Sequence, residues 1–185
     1  MAYATLTESS PRFAAIHHPV QSDQEWKQLT DKANKAYSAR QTSLAEALYR
    51  DALAKAEMLF NEREQVESKE ILPVIYNISC HNLAELFENK GMNLDAEHFY
   101  TKAYDRLLKT ANEPSAALPL RISCMQHLKH SLSVLIHFLQ RNGSDTEQMT
   151  RLVQQANHTA YRIYQIVQHS ANCEQCQNER PAILS

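Results

Sequence analysis

Gly91 and Gly143 are the only glycines in the chain, and each stands where a long helical pattern stops. Tight hairpin turns and phosphate-cradling loops draw on glycine because their backbone needs positive φ. With both glycines at helix ends, the scarcity argues against sandwiches, barrels and glycine-rich nucleotide loops. What lies between is rich in Ala, Leu, Glu, Gln, Lys and Arg, the residues that lose least on entering a helix. The expected fold class is therefore all-α.

Six helices are predicted, over residues 22–40, 43–67, 70–90, 93–111, 117–141 and 144–170. The breaks fall at Gln41-Thr42, near Ser68, at Gly91, across Asn112–Pro114 and at Asn142-Gly143. Three strings have the form of a capping box and predict helix starts: Ser22 with Glu25, Ser43 with Glu46, and Ser144 with Glu147. Pro73 and Pro119 suit first turns, where the amide a proline lacks has no partner anyway. Residues 1–21, with Pro11 and Pro19, read as a flexible N-terminal arm. Residues 171–185 read as a flexible C-terminal tail carrying Cys173 and Cys176. The helical domain is expected over 22–170.

The formal charge of −2 leaves no electrostatic footprint for nucleic acid or an anionic membrane. The N-terminal residues lack the basic start and apolar run of a signal peptide. The longest apolar stretch, Leu132–Leu139, is too short to span a bilayer. The expected compartment is the cytoplasm, where the four cysteines stay reduced. Cys80 and Cys124 fall within apolar helical periodicity and are assigned to the core.

Two segments superpose. Ala45, Tyr49 and Ala52 match Ala96, Tyr100 and Ala103 at a period of 51, and Gly91 to Gly143 spans 52. Small residues let helices approach closely, and the aromatic fills the space between neighbouring pairs. The string Asn82-Leu83-Ala84 with Phe87 and Gly91 precedes the second copy. This pattern resembles the tetratricopeptide repeat. A unit read from Trp26 supplies Leu29, Ala33 and Ala36, with Lys32 at an apolar position and Arg40 at the turn. A third unit has Leu132, Leu135, Ile136 and Leu139 on its first helix. Its second helix has Gln148 at the small-residue position and offers Ala156, Ala160 and Tyr164 instead. The family's usual unit is about 34 residues, so the excess of about 17 is roughly two extra turns per helix. A plain antiparallel bundle is the alternative architecture.

The resemblance implies an interaction module (an adaptor, a regulator or a small chaperone) holding a partner peptide or helix in a concave groove lined by first helices. The groove would present Lys27, Thr30, Asn34 and Tyr37, then Ile78, His81, Asn82, Glu85 and Glu88. Asn34 and Asn82 fall on two positions of the family's carboxylate clamp. Thr30 replaces its lysine, and His130 and Val134 stand where further basic residues belong, so the clamp is not expected. No nucleophile with a base, His-Glu-x-x-His or phosphate loop is present, and no enzyme is expected. No cofactor is implied, apart from zinc under the competing reading of a metal- or redox-responsive protein. There His169, Cys173 and Cys176 have ligand-compatible spacing but lack a fourth ligand. His127, His130 and His137 share one helix and are expected to be partly buried packing residues. Self-association as a homodimer is a further alternative.

Overall fold

The computed structural model describes residues 19–63 and 71–172. Among them it contains six helices and no strand: α1 (Pro19–Ser38), α2 (Thr42–Arg63), α3 (Ile71–Asn89), α4 (Asn93–Asn112), α5 (Leu118–Arg141) and α6 (Thr146–Asn172). The fold is all-α, and each helix packs antiparallel against the next. Beyond these neighbours, α3 packs on α5 and α4 on α6. Helices further apart in sequence are not among the packed pairs. The result is an open stack of three helix pairs, α1/α2, α3/α4 and α5/α6, rather than a closed bundle.

One backbone device ends the first helix of every pair. Gly91 has φ +71° and Gly143 φ +70°. The Gly91 N–H donates to Glu88 O (2.9 Å) and the Met92 N–H to Phe87 O (2.9 Å). The Gly143 N–H donates to Gln140 O and the Ser144 N–H to Leu139 O. Arg40, at φ +60°, repeats this: its N–H donates to Tyr37 O and that of Gln41 to Ala36 O. These are three Schellman caps, at 40, 91 and 143. Their spacings of 51 and 52 match the sequence period.

Helix starts differ from the capping-box expectation. α1 begins at Pro19, so Ser22 and Glu25 lie inside it. α2 begins at Thr42, one residue ahead of Ser43. Before α6, Asp145 and not Ser144 is the cap, accepting from the Glu147 N–H at 3.0 Å. A carboxylate there also meets the positive end of the helix dipole, which favours Asp over Ser. Pro119 sits in the first turn of α5. The break near Ser68 lies outside the described residues.

The core runs the length of the stack. Ala45, Ala52, Ala96 and Ala103 are at most 1% exposed, with Tyr49 and Tyr100 buried beside them. Phe60, Phe87, Tyr104 and Phe138 fill the space between pairs. Each such ring removed from water stabilises the fold by about 1.5–3 kcal/mol. Cys80 and Cys124 are wholly buried, as expected. Burial pushes the Cys80 thiol up to about 12.

The third pair departs from its expected core face. Ala156, Thr159 and Ile163 are buried, whereas Tyr164 is 59% exposed. A polar seam takes over: Asn112 Nδ2 on α4 donates to Thr159 Oγ1 at 2.8 Å. The Tyr104 hydroxyl donates to Leu152 O at 2.7 Å.

Candidate protein-binding groove

The first helices of the three pairs, α1, α3 and α5, lie side by side, and side-chain ties hold them in register. Trp26 Nε1 on α1 donates to Ser79 Oγ on α3 at 2.8 Å, both buried. Asn89 Nδ2 donates to the Tyr37 hydroxyl at 2.6 Å. Glu88 on α3 pairs with Arg141 on α5 at 2.6 Å. Tyr37 and Glu88 are 51 apart and Asn89 and Arg141 are 52 apart, so the two ties are one repeated contact.

The predicted groove residues divide into those held by neighbours and those left open. Asn34 Oδ1 accepts from the Tyr49 hydroxyl at 2.7 Å, which fixes its carboxamide although the residue is exposed. Glu88 accepts from the Tyr100 hydroxyl at 3.1 Å as well as from Arg141. Thr30 corrects the expectation of an open groove residue: it is 8% exposed, enclosed one turn past the Trp26–Ser79 tie. Lys27 and Glu85 are exposed, and Asn82 is half-buried. Ile78 is 38% exposed, unusual for an isoleucine on a helix that buries eleven others of its nineteen residues.

His81 is the most constrained member. Its ring centroid lies 5.6 Å from that of Tyr100 and 5.6 Å from that of His130 on α5. Burial, assisted by the nearby His130, lowers its pKa to about 4, so the imidazole is neutral near pH 7. Its Nε2 is buried without a hydrogen-bond partner. Burial likewise raises the Tyr100 phenol, with Glu88 and Glu85 adding to the effect. The three α5 histidines were expected to be packing residues. Only His127 is half-buried; His130 and His137 are exposed.

The structure adds two residues that the sequence reading left out. Ile71 is 41% exposed and Val74 half-buried, and with Ile78 they form an apolar stripe at i, i+3, i+7 along α3. The spacing was legible, but only the fold shows that this face of α3 turns away from the core. The stripe makes one half of the α3 face apolar. The other half, from His81 to Glu88, is polar.

A cavity of about 640 Å³ lies elsewhere, along the outer side of α4 beside Tyr76, Leu94 and His98. Its Lys102 and Arg106 already pair with Glu57 and Asn61 of α2. It is largely the surface of one helix, and no two first helices face each other across it.

His169 is exposed near the end of α6, and Cys173 and Cys176 lie outside the described residues. Among the described residues no three His, Cys, Asp or Glu side chains converge where a metal ion could sit. None of the described helices is long and apolar enough to cross a membrane.

Residues 24–178 match the family described as protein of unknown function (DUF2753). The chain belongs to that family. The match spans α1 from Gln24 onward, the rest of the stack, and Cys173 and Cys176. No curated protein and no solved structure matches the chain.

Proposed function

We propose that the chain is a tetratricopeptide-like interaction module whose α1/α3/α5 face holds a segment of another protein. The observation that carries this is the split face of α3. Exposed Ile71 and Ile78 flank half-buried Val74, and the stripe runs on to half-buried His81. Apolar side chains left open on an ordered helix favour a partner that covers them. The ties from Asn34, Tyr37 and Glu88 to neighbouring helices keep the surface rigid, which lowers the ordering entropy lost on binding. The repeated small-residue and aromatic skeleton, with three caps one period apart, supports the tetratricopeptide-like reading.

The fitting occupant is an internal peptide or a helix with an apolar face. The clamp for a terminal carboxylate lacks its cations, since Thr30 is enclosed and His81 is neutral. A photo-activatable amino acid at Ile78, introduced in the native cell, tests this. It should cross-link a defined segment of one protein, while the same probe at Met58, an exposed residue of α2, should not. Equal labelling from both positions, or none from Ile78, refutes the groove.

A further inference from the structure

The outer flank of α6 has a composition unlike that of the other helices. From Leu152 to Asn172 it carries a single full charge, Arg162, and otherwise Gln, Asn, Thr, Ser170, two histidines, two tyrosines and apolar residues. α4, of similar length, carries six charged side chains. A helix face meant for water is usually charged, whereas interface cores lose charge and gain tyrosine. Arg162 also turns away from this flank, donating to Asn112 Oδ1 on α4 at 3.3 Å. On the flank itself Val153 is 39% exposed, Tyr164 59% and Val167 37%, with half-buried Ala160 between them.

The repeat shows what this flank is built to meet. Asn61 on α2 accepts from Arg106 on α4 at 2.7 Å, and Asn112 on α4 accepts from Arg162 on α6. Asn61, Asn112 and Tyr164 succeed one another by 51 and 52 residues. Tyr164 therefore stands at the position that, in the first two pairs, receives the next pair. Among the described residues no helix follows α6.

The flank is also self-complementary. Val153 and Val167 each lie seven residues from Ala160, and Asn157 and Tyr164 straddle it. We propose that two copies of the chain associate through this flank, α6 antiparallel to α6, about a two-fold axis near Ala160. Val153 of one copy then faces Val167 of the other, and the Tyr164 hydroxyl meets the Asn157 carboxamide. The small Ala160 at the axis lets the helices approach closely. A two-fold interface requires such reciprocity, each residue meeting its counterpart twice. With no like charges opposed across it, the seam forms without electrostatic penalty. It uses the third pair only, so it stands or falls independently of the groove.

The test combines sedimentation with cysteine cross-linking, on full-length protein with Cys173 and Cys176 changed to serine. Sedimentation well above micromolar concentration should show a dimer. Ala160→Cys, placed at the axis, should give a disulfide-linked dimer on mild oxidation. Leu94→Cys, on α4 and more exposed than Ala160, should not. Ala160→Glu brings two carboxylates together at the axis and should raise the dissociation constant about 100-fold or more. A monomer throughout, whether the flank is covered by the chain's own tail or by a different protein, overturns the proposal. A dimer that survives Ala160→Glu, or cross-links equally through Leu94→Cys, overturns it too. If Ala160→Glu fails to fold, the position-specific cross-link still decides.

Discussion

Arg40→Gly and Gly91→Ala perturb one structural position in opposite directions. Both residues sit at the left-handed point of a Schellman cap, with φ +60° and +71°. A residue with a Cβ loses about 1–2 kcal/mol there relative to its ordinary backbone region. A Cβ built on Gly91 meets nothing within 4 Å, so Gly91→Ala carries the backbone term without a clash. Part of that loss is offset because alanine restricts the unfolded chain more than glycine does, by about 0.4–1 kcal/mol. The expected net destabilisation is about 1 kcal/mol. Arg40→Gly reverses the same balance and should stabilise by about 0.5–1 kcal/mol. For a chain of this length that is a rise in melting temperature of about 2–4 °C per kcal/mol. Circular dichroism melts, with urea titrations to check that the unfolding slope is unchanged, measure both. An Arg40→Gly variant no more stable than the parent would show that the first pair does not end in the strained cap described. A loss above about 3 kcal/mol for Gly91→Ala would mean that the cap holds something besides its own two hydrogen bonds.

Three further outcomes are expected. His81 has a folded pKa near 4 against an ordinary value of 6.5, so between those values the unfolded chain binds the extra proton. Stability should be flat above about pH 6.5 and fall by up to about 3 kcal/mol as pH drops toward 4. His81→Gln should flatten most of that slope, leaving a smaller part from half-buried His127, whose pKa burial also lowers; an unchanged slope in urea titrations from pH 7.5 to 4.5 refutes the assignment. Ser131 is wholly buried and its hydroxyl has no partner, so Ser131→Ala should stabilise the protein by about 1 kcal/mol in the same titrations. Any loss of stability would mean that the hydroxyl is satisfied. Tyr104→Phe removes the hydroxyl bond to Leu152 O and should cost about 1 kcal/mol. Hydrogen exchange should show that loss concentrated in α6; uniform loosening across all six helices contradicts the tie.

Helices were legible because their ends are punctuated chemically. Gly91, Gly143 and the Asn112–Pro114 stretch mark boundaries that any helix must respect, and the Ala/Tyr/Ala skeleton exposed the period. Helix starts were less legible. Ser22, Ser43 and Ser144 all carry capping-box spacing, yet Pro19 can open a helix three residues earlier and Asp145 competes better for the dipole. α6 misled for a different reason. A flank awaiting a neighbour has the same apolar spacing as a buried one, so Tyr164 read as core. In the groove, the α3 face was placed by the resemblance to the tetratricopeptide pattern. The His81–His130 approach joins residues 49 apart, and Thr30 is enclosed by a tie between residues 53 apart. Neither leaves a local trace in sequence.

The groove itself is tested most directly by the double substitution Ile71→Glu and Ile78→Glu. Both side chains are already open to solvent, so the helical spectrum and melting temperature should stay near those of the parent. The measurement is quantitative recovery, in the native cell, of the protein cross-linked through a probe at His137, on the neighbouring first helix. The account predicts that one specific adduct forms with the parent and falls at least tenfold with the double variant. Full retention of that adduct by a folded double variant would contradict it.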